Sequence, residues 1–182
     1  MADSHTVIAS HPVIASHSRA VSAFVDAARA VSPAQWTTPR APGKWSPGQV
    51  TEHVALTYEQ SDRMLHGTFT GPAKPWYQQL LARRLGLPPL LKRGDFGKGP
   101  FQAPDFLRPS ASPLSSAALL ARLEAAAHDL EGTLATASDA RGVSVDHPIF
   151  GRIPLSDLMR FLVIHTNHHR PQLSPVSVSL DG

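Results

Sequence analysis

The chain contains no cysteine. Disulfides, thiolate metal ligands and a cysteine nucleophile are therefore excluded, and any thiol chemistry needs a thiol from outside. A metal would have to be held by histidine, carboxylate or backbone oxygen. Charge is also scarce. Only 17% of residues are charged, and the formal net charge is +3 with the ten histidines neutral. Arg83-Arg84 and Lys92-Arg93 are pairs and not runs, so nucleic acid is not an expected partner. No apolar run approaches the roughly 20 residues of a membrane helix, and no membrane association is expected. The N-terminus, "MADSHTVIASHPVIASHS", lacks a basic first segment, and Ser10, His11 and Pro12 interrupt its apolar stretch. It does not read as a secretion signal, which points to a cytoplasmic protein. GxSxG, Walker and GxGxxG motifs are all missing.

What is present is helical periodicity. The 182 residues suit one domain with a real core. Residues 1–17 carry "VIASH" twice, at 7–11 and 13–17, with His5, His11 and His17 six apart. That spacing fits neither helix nor strand ligand geometry, and Pro12 interrupts a helix. The segment reads as a loosely ordered N-terminal extension, with a metal-binding arm as the alternative. A first helix is expected from Ser18 or Arg19 to Val31, on the spacing of Val21, Phe24, Val25, Ala28 and Val31.

The second helix has the clearest start. Ser46 is an N-cap, Pro47 takes the first helical position, and Gln49 can close a capping box. It should run to about His66, where Gly67 ends it. Its inward stripe is Val50, His53, Val54, Thr57, Ser61 and Met64. Residues 67–113 hold eight of the seventeen prolines and six of the twelve glycines. So long a connection should cross over the fold or cover a site. Within it, "WYQQLLARRLGL" predicts a short helix stopped by Pro88-Pro89, with Trp76 and Tyr77 as candidate walls of a cleft.

A third helix is expected from Ser115 or Ser116 to about Ala137, on an apolar face from Leu119 to Leu134. The fourth should run from Leu155 to the region of Pro171, with Leu155, Leu158, Phe161, Leu162, His165 and His169 inward. "VSVDHPI" is the best strand candidate, and it is short. The expected fold is all-α: a four-helix bundle over residues 18–175, with the long crossover between the second and third helices and a tail at 176–182.

Histidine on two inward stripes is the unusual feature. His165 and His169 are four apart and point within about 40° of each other. A third imidazole from a neighbouring helix would complete a three-ligand site with open positions. His53 is the candidate, because it alone lies on the inward face of another main helix. Three buried neutral imidazoles need partners for both ring nitrogens, and one ion satisfies three of those nitrogens. The competing reading, histidines as ordinary core polar residues, requires no metal. His168 lies about 100° round from His169. It is a candidate acid/base group at the rim, a residue supporting the ligands from behind, or a contact at the bundle edge, with direct ligation disfavoured by that angle. His147 sits in a loop beside Pro148 and is a further candidate for lining the site. His66 and His128 fall off the apolar faces, as do Glu52 and Asp62. The residue after His165 is Thr166, so the glutamate of an HExxH protease is missing. The chemistry left open is metal-assisted, acting on a bound water, thiol or carbonyl oxygen.

Two blocks carry a resemblance: "GKWSPGQVTEHVALTYEQ", with Trp45 and His53, and "DHPIFGRIPLSDLMRFLVIHTNHHRPQL", with His165 and His169. "FQAPDFLRPSAS" adds a crossover-like segment. Together they resemble the DinB/YfiT-like superfamily of metal-binding four-helix bundles over roughly residues 18–174. The resemblance implies His53, His165 and His169 as ligands of a divalent ion, nickel or zinc, with manganese or iron as further candidates. It also implies frequent homodimers. Relatives include transferases and isomerases that use low-molecular-weight thiols such as mycothiol or bacillithiol, and metal-dependent hydrolases. A small-molecule substrate follows from that comparison. A non-catalytic metal-binding or stress-related bundle is the alternative. Two features depart from the pattern. One is the histidine repeat at the N-terminus. The other is Pro171, which should kink or end the fourth helix two residues beyond His169 and bears on that ring's aim.

Overall fold

The computed structural model describes residues 12–97, 102–137 and 143–174. Four long helices organise it: α1 Pro12–Arg29, α2 Pro47–Leu65, α3 Ser116–Ala137 and α4 Leu155–His169. The pairs α1–α4 and α2–α3 make the broadest contacts, and α1–α3 and α2–α4 close the core between them. The fold is thus mainly helical. One exception is a small antiparallel hairpin, β1 Ser144–His147 with β2 Gly151–Pro154, paired Val145 to Ile153 and His147 to Gly151. "VSVDHPI" therefore supplies a real strand, and the expected all-α class holds broadly with this small hairpin added.

The core follows the helical stripes. Phe24 and Ala28 of α1, Val54, Ala55 and Tyr58 of α2, Leu119, Leu123 and Leu130 of α3, and Leu158, Met159 and Leu162 of α4 are fully enclosed. Burial of this kind is worth about 25 cal/mol per Å² of apolar surface, the main favourable term in such a fold. The Glu59 carboxylate receives Arg122 Nε and Nη2 at 2.6 and 2.8 Å, tying α2 to α3 at their edge.

The start of α2 forms as its spacing predicts. Ser46 Oγ accepts from the Gln49 amide at 3.3 Å, and Gln49 Oε1 accepts from the Ser46 amide at 3.0 Å. At the other end Gly67 takes φ +67°, which releases the chain into the crossover.

The start of α1 differs from the sequence expectation. The helix begins at Pro12, not Ser18, and takes in the second "VIASH". Proline costs nothing at a first helical position, because the amide there has no acceptor. His17, expected in a loose extension, is fully buried, with Nδ1 2.6 Å from Glu131 Oε1. The signal was legible: Ile14 and His17 continue the stripe of Val21, Phe24 and Ala28 backwards. His5, His11, the first "VIASH" and the tail at 176–182 lie outside the described residues.

The crossover also differs. Trp76–Leu81 is helical, a π-helical turn follows over Ala82–Gly86, and a further helical segment spans Leu87–Arg93. Pro88-Pro89 therefore does not stop the helix. The two prolines fall in the first turn of the new segment, where backbone amides lack partners anyway. Gly94, at φ +76°, ends it. Pro171 likewise ends α4 without kinking it. The α-helix closes at His169, and Arg170–Leu173 continue as one 3₁₀ turn.

Gly48, in the first turn of α2, is where the crossover's end and the Trp36 ring meet the helix. A Cβ there would lie 2.8 Å from Trp36 Nε1 and 2.8 Å from Pro113 Cγ. Both are ring atoms, and Trp36 is further held by its bond to the Leu114 carbonyl at 3.0 Å. Gly48→Ala should cost about 1–3 kcal/mol by overpacking, read as a lower urea midpoint; an unchanged midpoint would contradict this packing.

Candidate metal centre

The two inward stripes converge. His53 comes from the middle of α2, and His165 and His169 from the last turns of α4. Their exposures are 4%, 7% and 8%, so all three are shielded from bulk water. Ring centroids lie 5.0 Å apart for His53–His165, 4.7 Å for His53–His169 and 4.5 Å for His165–His169. Each ring offers one nitrogen to a common set in which all lie within 4.8 Å of one another. Nitrogens about 2 Å from one ion lie roughly 3–4 Å from each other, so little contraction is needed. Pro171 has not turned His169 away.

The hydrogen bonds prepare these rings as ligands. His53 Nδ1 donates to the Leu107 carbonyl at 2.7 Å, which leaves Nε2 with a bare lone pair. His169 Nδ1 is 3.1 Å from Gln172 Oε1 and donates to it, again freeing Nε2. His165 cannot satisfy both nitrogens. Its Nε2 is 3.1 Å from His53 Nε2, and its Nδ1 is buried with no partner among the described residues. With the proton on Nε2, the ring donates to His53 and Nδ1 is bare. With the proton on Nδ1, two lone pairs face each other. A cation among the rings removes that repulsion, so the donor set fits a divalent ion.

Burial keeps the rings neutral. It pushes His53 below its ordinary 6.5, partly offset by the Leu107 bond. It pushes His165 well below, helped by the neighbouring His169 and His53, and His169 to about 3. Trp45 packs on His53 at 4.9 Å, and Phe161 stacks on His165 at 5.9 Å.

The three histidines form one end of a cleft of about 520 Å³. Its other walls come from α2, the hairpin and the second half of the crossover, where Leu90, Phe96, Phe106 and Leu107 face it. Trp76 and Tyr77, expected as walls, are instead 75% and 56% exposed and do not line it. From this segment Leu85, Pro89, Leu90 and Arg93 line it instead. His168 is exposed on α4 but borders the cleft, its ring 5.1 Å from Phe96 and 5.0 Å from His169. Partial burial lowers its pKa. His147 is buried in the cleft wall, where strand alternation turns it inward between exposed Asp146 and the turn. No carboxylate lines the cleft among the described residues. Glu52 is buried nearby, but its Oε2 accepts from Ser110 N and Oγ at 3.0 and 2.8 Å, which ties down the crossover's end. His66 and His128 are exposed, away from the site. A second cavity, of about 360 Å³, backs onto His168 and His169 and is rimmed by Arg40, Lys44 and Arg108.

Fold and site together define a helical protein with a buried, three-histidine site able to hold a metal ion. The chain belongs to the DinB superfamily, whose family model matches residues 17–173. No match to the chain emerges among curated proteins or among solved structures. Among the described residues, no helix is long and apolar enough to cross a membrane.

The buried rings set a pH dependence for metal-free protein. An unfolded histidine takes up its proton near 6.5, whereas folded His147 waits until about 4 and His169 until about 3. Stability from these groups is therefore complete above 6.5 and is lost as pH falls towards the folded values. From pH 7.5 to 5.5, above the carboxylate range, His147 and His169 should each remove about 1 kcal/mol, and His53 and His165 act in the same direction. Urea unfolding at the two pH values checks this, and an unchanged midpoint would show that the rings are not buried neutral.

Proposed function

We propose that this DinB-superfamily chain is a cytoplasmic metal-dependent enzyme on a four-helix bundle, with His53, His165 and His169 holding one divalent ion. The observation that carries the reading is the trio of buried rings gathered round one point, with Nε2 of His53 and of His169 left as bare lone pairs and His165 unable to satisfy both of its nitrogens. Zinc or nickel suits three imidazoles best, with manganese or iron behind them. Bound there, the ion would supply Lewis acidity, used for hydrolysis or for transfer to a low-molecular-weight thiol.

The chain's own residues do the rest. Leu107 and Gln172 hold His53 and His169 in their ligating tautomers. Trp45 and Phe161 buttress the rings. Apolar walls exclude water from a small-molecule substrate. His168, at the rim and lowered in pKa, is the candidate to move a proton. The missing carboxylate favours a second reading, in which the ion only stabilises the fold. A homodimer belongs to the proposal as well, with exposed Trp76, Tyr77 and Leu81 as the candidate contact. Light scattering at one chain mass would remove it.

Untagged protein should carry about one ion per chain by elemental analysis. His165→Ala should lose that ion, together with any turnover found in a screen of thiol and ester substrates, while its helical circular dichroism persists. Metal-free wild-type protein would sink the metal reading. Metal that raises the melting temperature without any turnover would favour the non-catalytic one.

A further inference from the structure

We propose that His147 donates a hydrogen bond to the ligand of the cleft, and that this ligand is a small, largely apolar molecule bearing an acceptor oxygen such as a carbonyl. The proposal rests on reading the cleft as a substrate site, and adds the substrate's class and a residue that selects it.

The tautomer of His147 is fixed by its own turn. Nδ1 accepts the backbone N–H of Ile149 at 3.1 Å and that of Phe150 at 3.3 Å. A nitrogen that accepts two amide hydrogens carries no proton, so the neutral ring holds its hydrogen on Nε2. The ring is 7% exposed and packs against Phe150 and Phe161, at centroid distances of 4.8 and 5.9 Å. It lines the cleft, and no protein acceptor meets Nε2 among the described residues. Nε2 is not fully enclosed, so this unmet donor opens onto space, and the space the ring lines is the cleft, where an acceptor would satisfy it. Burial also pushes the ring's pKa down to about 4, which keeps it a neutral donor at pH 7.

The walls define the rest of the molecule. Met64, Leu90, Phe96, Phe106, Ile149 and Phe161 are apolar, and among the described residues Arg93 is the one lining residue other than histidine that can carry charge. An apolar body fills such a space, and an oxygen at one point meets His147. His147 lies on the hairpin, separate from the helices that carry the three grouped histidines. Its contribution is therefore measurable in metal-free protein.

Acetophenone and α-methylstyrene have the same shape and differ by C=O against C=CH₂. Both would be titrated by NMR into chelator-treated protein. His147→Asn keeps an acceptor near the Nδ1 position for the turn amides but has no atom where Nε2 stands. His147→Phe keeps the bulk and loses both functions. Wild type should favour the ketone over the alkene by about tenfold more than either variant does. Equal ratios in wild type and His147→Asn, or no ketone binding by wild type, would overturn the proposal. Should neither variant fold, ¹⁵N spectra of wild type decide. The Nε2–H signal of His147 should be present at pH 7 and move with acetophenone alone; a proton on Nδ1, or no movement, overturns it. Metal content is read in parallel. Bound metal with equal probe ratios rejects this inference alone, and a ketone preference without metal uptake rejects the enzyme reading alone.

Discussion

The bond from His53 to the Leu107 carbonyl is the contact on which the site depends. It does two things at once. It fixes the proton of His53 on Nδ1, which turns the other nitrogen into a lone pair aimed at His165. It also pins the far end of the crossover over α2, so the segment that walls the cleft is held by the ring it walls. Neighbouring contacts repeat the arrangement. Ser110 is bonded to Glu52, one residue before His53, and Pro113 lies against Gly48. The irregular chain is thus fastened to α2 at three levels, and its shape follows from that helix.

Legibility in the sequence tracked how local each cause was. The start of α2 was legible because a capping box is a four-residue device. The convergence of His53, His165 and His169 was legible because helical period alone decides which side faces inward. The crossover's end over the site was not. It is set by Leu107 and Ser110 meeting residues more than fifty positions away, and composition shows only that such a segment is irregular. The prolines misled for one reason in both places. Pro12 and Pro88-Pro89 break a helix in its interior and suit its first turn, and nothing adjacent in sequence says which position they occupy. His17 is legible from the stripe it shares with Ile14 and Val21, whereas its partner, Glu131, lies on another helix and is not. His147 needed the hairpin register, which pairs it with Gly151, before its inward direction could be known.

The site concentrates unfavourable burial in one place. Four imidazoles sit in dry surroundings, and the fold keeps them there through rigid neighbours: Trp45, Phe150, Phe161 and the capped α2. Such a pocket is expensive in a metal-free chain and becomes favourable when the lone pairs find a common acceptor. A bound ion would therefore couple folding to occupancy through those three nitrogens. The buried Tyr58–Thr166 bond, 2.9 Å long, fixes the register of α2 against α4 one residue from His165.

The π-helical turn at Ala82–Gly86 acts as a phase shifter. A turn of this kind admits an extra residue, so side chains on its two sides no longer share one azimuth. Before it, Trp76, Tyr77 and Leu81 look outward; after it, Leu87 and Leu90 are enclosed. One nearly continuous rod presents grease to the surroundings at its first end and to the interior at its second.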